Sequence, residues 1–307
     1  MTTDISTSHP AASAAAASGA AASGPAASGP VTSGAGAPAA TPRAAARRVR
    51  HELRFRLLHV LRVEQPTPGL RRITLGGKAL AGFVSAAHDD HVKLFFPAPG
   101  SALPVLPSVG PDGAPTFPEG ARPIARDYTP RRFSDTELEI DFVQHGDGPA
   151  ATWSAQAKVG DALGVGGPRG SFIVPADLDW YLLVGDDTAL PAIARRLAEL
   201  PAGTRAFVLA EIAGPAEEQP LPSAATLSVH WVHRGSAEPG SSEALSQALA
   251  ALQLPAGDGY AWIAAESDVA KTLRRQLLEA HPMDKGAVKA AGYWKRGTVA
   301  SHETHSD

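Results

Sequence analysis

Cysteine is absent from all 307 residues. That excludes disulfides, thiolate nucleophiles, zinc–thiolate sites and cysteine-held iron–sulfur clusters together. No apolar run approaches the ~20 residues of a membrane-spanning helix, so no membrane partner is expected. The start, MTTDISTSHP, has no basic segment leading into a leucine- or valine-rich stretch, so it does not read as a secretory signal. With a cysteine usage that suits a reducing compartment, a cytoplasmic location is expected. Charge of one sign is also scarce: the net charge of −3 speaks against a nucleic-acid partner. There is no G-x-S-x-G elbow and no H-E-x-x-H helix, so hydrolase chemistry lacks support.

Small residues are plentiful at the N-terminus. Residues 1–48 are an Ala/Ser/Gly/Pro tract with almost nothing to bury, and are expected to be disordered. The tract runs into TPRAAARRVRHELRFR. A nucleic-acid arm would need aromatic or glycine interleaving that is missing, which leaves a solvated approach to the first strand. From Leu53 onward short β-like runs recur without convincing helices between them: LRFRLLHVLRVE, LRRITLGG, HVKLFFP, ARDYTPRRF, ELEIDFVQH and GDALGVGG. That spacing predicts an antiparallel barrel over residues 49–175, with the Pro/Gly-rich stretch 97–123 as a surface loop. From about residue 176 to 298 strands alternate with helices, as in a parallel α/β sheet. Asp187 or Thr188 is expected to cap the TALPAIARRLAELP helix and Ser267 the last one, where Val269, Leu273 and Leu277 share a face. Residues 299–307 read as a polar tail.

Three stretches carry chemistry. RDYTPR (126–131) sets a tyrosine and a threonine between two arginines. Arginines neutralise a pyrophosphate, and a phenol ring stacks on a flat heteroaromatic. An edge strand with solvated arginines is the plain alternative. GVGGPRG (164–170) follows barrel strands instead of opening a βαβ unit, so it is not a Rossmann fingerprint, although such a turn can bring N–H groups to a phosphate. LLVGDDTALPAI (182–193) ends a strand in glycine and starts a helix at once, where α/β folds bind ligands. HDDH (88–91) and HETH (302–305) hold metal-capable side chains. In the first, the run into a strand would turn them to opposite faces, so no metal site is expected.

Taken together, DHVKLFFP (90–97), RDYTPRRF (126–133), HGDGPAATW (145–153), GPRGSF (167–172), GDDTALPAI (185–193) and AGYWKRG (291–297) resemble the siderophore-interacting protein family, FAD-dependent ferric-siderophore reductases of the ferredoxin–NADP reductase-like superfamily. The resemblance spans about residues 53–297. It implies a Greek-key FAD-binding β-barrel followed by a parallel-sheet NAD(P)H-binding α/β domain. It implies FAD contacts at Arg126, Tyr128, Thr129 and Arg131, at His145, Gly148, Ala150, Ala151 and Trp153, and at Gly167, Arg169, Gly170 and Ser171. Gly185, Asp186, Asp187, Thr188 and Ala189 would serve NAD(P)H, with Glu266. Glu211 is placed to accept ribose hydroxyls and Arg234 to meet a 2′-phosphate, two opposed signals beside a family lean to NADPH. Lys93, Lys295 and Arg296 would receive an anionic ferric siderophore. A general flavin or ferredoxin-type reductase with a different acceptor, and a non-enzymatic siderophore-binding iron-delivery protein, are the alternatives; a ferredoxin is the other candidate electron donor, and a monomer is the default. Two departures from the family pattern stand out: Asp187 where glutamate is usual, and Ala265 where glycine is usual, whose methyl would crowd a dinucleotide.

Overall fold

The computed structural model describes residues 46–298 apart from 122, 147 and 242, together with the backbone of residues 303–305. The tract expected to be disordered lies outside the described residues except at its end. There Arg47 and Arg48 already belong to the first strand, because their backbone pairs antiparallel with residues 172–173.

The strands of the first half are β1 (Arg47–Arg50), β2 (Phe55–Thr67), β3 (Leu70–Gly76), β4 (Val92–Phe96), a two-residue hairpin β5 (Ser108–Val109) and β6 (Pro115–Thr116), β7 (Ile124–Tyr128), β8 (Arg132–Phe133), β9 (Glu137–Val143), β10 (Ala162–Gly166) and β11 (Gly170–Ile173). Seven of them form one antiparallel sheet in the order β7-β4-β10-β2-β3-β9-β8. Its two edge strands are consecutive in the chain and separated only by residues 129–131. Three residues span at most about 10 Å, so the sheet curls until its edges meet. RDYTPR crosses that seam. Alternation puts Leu58, Val60, Ile73, Leu75, Leu94, Leu138, Ile140 and Leu163 inside the curl, where all are essentially inaccessible.

One element here departs from expectation. Helix α1 (Pro149–Gln156) lies between β9 and β10. It opens on Gly148-Pro149, which reads as a turn in sequence, yet proline is well placed in a first helical turn.

The second half holds β12 (Trp180–Gly185), α2 (Leu190–Glu199), β13 (Arg205–Ile212), β14 (Thr226–His233), α3 (Ala244–Ala251), β15 (Gly259–Glu266), α4 (Ser267–Ala280) and β16 (Val288–Trp294). The strands run parallel in the order β14-β13-β12-β15-β16, and β17 (Glu303–His305) adds antiparallel to β16. This strand, within the expected tail, is described in its backbone alone. The order reverses between β12 and β15, and α/β sheets bind ligands off the carboxyl ends of strands at such a switch point. β12 is buried on both faces, α2 covering Tyr181 and Leu183 while α3 and α4 cover Leu182 and Val184. The buried stripe of α4 is Ala270, Leu273 and Leu277, with Val269 at its margin.

Both expected caps shift by one or more residues. Asp186 accepts the Thr188 N–H at the turn before α2, and Glu266 accepts the N–H groups of Asp268 and Val269, so Ser267 is the first helical residue of α4. The described residues belong to one compact unit. No helix among them is long and apolar enough to cross a membrane.

Candidate functional site

A cleft of about 570 Å³ opens along the barrel edge strand β7. Its walls are β4 and β7, the end of β9, the start of α1, the turn into α2, and the end of β16. That volume lies in the range of small-molecule sites, roughly 300–1,000 Å³.

Arg126, Tyr128 and Thr129 face the cleft together. The half-buried Arg126 guanidinium donates only to the Ala125 carbonyl, at 2.7 Å, and forms no ion pair among the described residues. Tyr128 lies against Phe142 with ring centroids 4.5 Å apart, and burial pushes its phenol up. Thr129 is buried, and Tyr293 on β16 lines the cleft with it. Arg131 does not reach the cleft. Its Nη1 donates to Glu139 at 3.3 Å, and its Nε lies 3.1 Å from Asp141 at an angle that makes an ion pair rather than a hydrogen bond. Asp141 also takes a bidentate pair from Arg72, at 2.7 and 2.9 Å. The second arginine of RDYTPR thus helps hold β8 and β3 to β9.

The 145–151 stretch does converge on the cleft. His145, Gly148, Ala150 and Ala151 line it, with Gly146 and Pro149 beside them. Gly148 caps α1 without any side-chain hydrogen bond and the first turn has no acidic residue. Among the described residues, then, no side chain caps the first-turn N–H groups of the helix at the cleft wall. A Cβ on Gly146 or Gly148 would meet nothing within 4 Å, so the cradle is open in front of them. Trp153 lies behind it, packed on Phe96 and Phe142.

The 167–171 stretch does not line the cleft. Gly170 admits β1, since a Cβ there would stand 2.7 Å from the Val49 carbonyl oxygen. Buried Ser171 donates to Asp90 at 2.6 Å and meets His51 at 2.7 Å. Arg169 is exposed, and its carbonyl takes the His51 N–H. The HDDH residues join the two halves: Asp89 bonds Lys289 and Trp262, Asp90 accepts from Ser85 and the 86–87 backbone, and His88 stacks edge-on against Trp262. Burial holds the His88 imidazole down at about 3, hence neutral. Among the described residues no group is arranged to hold a metal ion.

Of the 185–193 stretch, Thr188 and Pro191 line the cleft, and the end of β16 completes the α/β side with Tyr293, Trp294 and, just after the strand, Lys295. Gly185 is a close-packing position: a Cβ would fall 2.3 Å from the Ala189 Cβ and 2.4 Å from the Ala264 carbonyl oxygen. Asp186 is buried. It accepts from Thr188, from the Glu266 N–H at 3.0 Å and from the Trp294 indole at 2.8 Å, tying the ends of β12, β15 and β16 together. Glu266 caps α4 and takes the Arg296 N–H, and Glu211 is buried at the end of β13. Arg234 donates to Asp187 at 3.0 Å, so its charge is already matched. Ala265 is fully buried and outside the lining, so its methyl does not enter the cleft. Lys93 and Lys295 line the mouth; Lys93 is half-exposed and paired with Asp127 at 2.7 Å. The Arg296 side chain is exposed and outside the lining.

Lining residues that sequence reasoning did not assign include His91, Asp141, Tyr293 and Trp294. The two aromatics sit in the quoted AGYWKRG, where the basic pair drew attention instead. Trp294 lies 6.0 Å from His145, ring to ring.

Burial and the neighbouring Asp187 outweigh those bonds and push Asp186 up to about 6. The native state therefore keeps a proton that the unfolded chain, with a carboxyl near 3.9, has released. Its stabilising contribution is complete below about pH 4 and is lost as pH rises through about 6. Melting temperatures of wild type and Asp186→Asn across pH 4–7 check this: the wild type should lose ground relative to the variant as pH rises. A flat difference would remove the shift.

These features define a class first: a curled antiparallel sheet with an uncapped helix and an arginine at its edge, beside a 3-2-1-4-5 parallel sheet, is a ferredoxin reductase-like, FAD- and pyridine-nucleotide-binding architecture. The FAD/NAD-binding domain of a nitric oxide dioxygenase from Vibrio cholerae shares that fold, with TM-score 0.54 at 16% identity. The chain belongs to the siderophore-interacting protein family. Residues 59–172 match the siderophore-interacting FAD-binding domain, and residues 178–297 the siderophore-interacting protein domain. It is 42% identical over 259 residues to an NADPH-dependent ferric-chelate reductase of Escherichia coli K12, covering 83% of this chain and 98% of that one. It is 31% identical to the ferric vibriobactin reductase ViuB of Vibrio cholerae, covering 79% and 90%. A siderophore utilization protein from T. fusca superposes with TM-score 0.78 at 40% identity, covering 83% and 98%.

Proposed function

We propose that the chain is an FAD-dependent, NADPH-oxidising ferric-siderophore reductase that releases iron as iron(II). The observation that carries the reading is one cleft holding three things at once: the uncapped start of α1 beside Arg126, the aromatic floor of Tyr128, and lysines at the mouth. The residues fit a flavin dinucleotide, since N–H groups and a guanidinium suit its phosphates and Tyr128 with Thr129 suits its ring. FAD, when bound, takes two electrons from a nicotinamide and returns them singly. Arg126 and the backbone of residues 148–151 bind and orient the phosphates. Thr129 and the wall formed by Tyr128 fix the ring plane and exclude water from it. Thr188 and Pro191 bound the side where a nicotinamide enters.

Lys93 and Lys295 draw an anionic ferric chelate to the mouth, beside His91. Iron(II) is bound less tightly than iron(III) by hard oxygen ligands, so one electron loosens the chelate. No side chain is asked to move a proton. We place this reaction in the cytoplasm and assign it to a monomer with NADPH as direct donor. The test is NADPH oxidation that depends on a ferric siderophore, with iron(II) trapped by a chromogenic chelator; NADPH oxidation without trapped iron(II) would contradict it. Lys93→Ala should raise KM for anionic ferric chelates about fivefold, with kcat and FAD content kept. The effect should shrink as salt is added. Steady-state kinetics at two ionic strengths check it, and an unchanged KM would remove Lys93 from the mouth.

A further inference from the structure

Arg195, on α2, is 7% exposed and serves none of the contacts assigned above. A buried guanidinium is costly unless its N–H groups are matched. Here Nη1 donates to Ser85 Oγ at 2.7 Å and to the Pro130 carbonyl at 3.1 Å, Nη2 to the Ser85 carbonyl at 2.9 Å, and Nε to Glu199 at 2.9 Å. The group also lies over the Phe133 ring, 5.3 Å from its centroid.

The partners show what the arginine joins. Pro130 directly follows Tyr128 and Thr129, the residues facing the cleft from the barrel. Ser85 belongs to the loop before β4, held there by Asp90. On its own helix Arg195 stands four residues after Pro191, which lines the opposite side of the same cleft, and positions i and i+4 share a helix face. One face of α2 therefore carries a cleft wall in its first turn and a fork-shaped clamp on the barrel in its second. The rigid fork sets both distance and angle, which a flexible ammonium does not.

We propose that Arg195 is a positioning residue for the NADPH half of the reaction: it holds the start of α2 in register with the Tyr128–Pro130 segment. This rests on the reductase function proposed above. A 1 Å misplacement of reacting groups can cost about 10²-fold in rate, so loss of the clamp is expected to slow hydride arrival. The lysines of the mouth stand on β4 and just after β16, outside α2.

The test compares wild type with Arg195→Met and Arg195→Lys in two assays. Without cofactor, amide hydrogen exchange in Arg195→Met should quicken over residues 84–90 and 128–134 and stay unchanged in β12 and β15. With FAD, anaerobic bleaching by NADPH should slow at least about tenfold in Arg195→Met and less in Arg195→Lys. Reoxidation of dithionite-reduced protein by a ferric siderophore should keep its wild-type rate. Unchanged bleaching, equal slowing of both halves, or failure of both variants to fold or hold FAD would each overturn the proposal. A wild type that NADPH does not bleach would sink the parent reading instead, and the cofactor-free exchange would then decide alone whether Arg195 joins the two elements.

Discussion

Arg126→Ala will give a folded protein that purifies almost colourless, with affinity for FAD lowered about 10- to 100-fold. Arg126 is the one cation of RDYTPR aimed into the cleft, and its only bond among the described residues is to its neighbour's carbonyl. A hydrogen bond to a charged group contributes about 1.5–3 kcal/mol, and each 1.4 kcal/mol is about tenfold in binding. No internal partner is stranded by its removal, so the melting temperature should barely move. Arg131→Ala should do the reverse. FAD affinity should stay within about threefold, while stability falls because Glu139 and Asp141 lose a partner in a partly buried network. Titration of cofactor-free protein with FAD, followed by flavin fluorescence, separates the two. Equal losses for both would return Arg131 to the cleft.

Gly185→Ala will lower folding stability by about 1–3 kcal/mol and displace the turn that carries Thr188. The new methyl would meet the Ala189 methyl at 2.3 Å and the Ala264 carbonyl oxygen at 2.4 Å. The first can give way, but the second is backbone in the middle of the parallel sheet. Relief has to come from the turn 186–189, so flavin reduction by NADPH should slow along with the stability loss. Urea denaturation checks the first effect and anaerobic mixing the second. A variant of wild-type stability would show that the turn yields without strain.

The fold was legible from the alternation of strand runs, and the change at Gly170 from β-only to βα texture marked where the architecture switches. Helix α1 escaped because it is eight residues long and begins Pro-Ala-Ala after a glycine cap, small residues with no periodic apolar stripe. Arg126, Tyr128, Thr129 and the 145–151 stretch, which line the cleft, could be picked out because they lie in two short local runs whose residue types a motif displays. What was hidden depends on register. Nothing in RDYTPR says that its second arginine faces Glu139 and Asp141, because that pairing exists only once β8 lies on β9. Gly185, Asp186 and Glu266 stand where a nucleotide motif puts them, yet they pack the switch point from inside. A buried carboxylate bonded to an indole 108 residues away leaves no trace in local sequence.

The most direct measurement is the visible spectrum of the purified, FAD-loaded protein under anaerobic conditions, before and after NADPH and then after a ferric siderophore. A ferric-siderophore reductase built this way should show a flavin spectrum that bleaches on NADPH and returns on the siderophore, with one iron(II) formed per electron. A flavin that NADPH leaves oxidised would contradict NADPH as the direct donor. A protein that takes up no FAD at all would contradict the cleft assignment on which the rest depends.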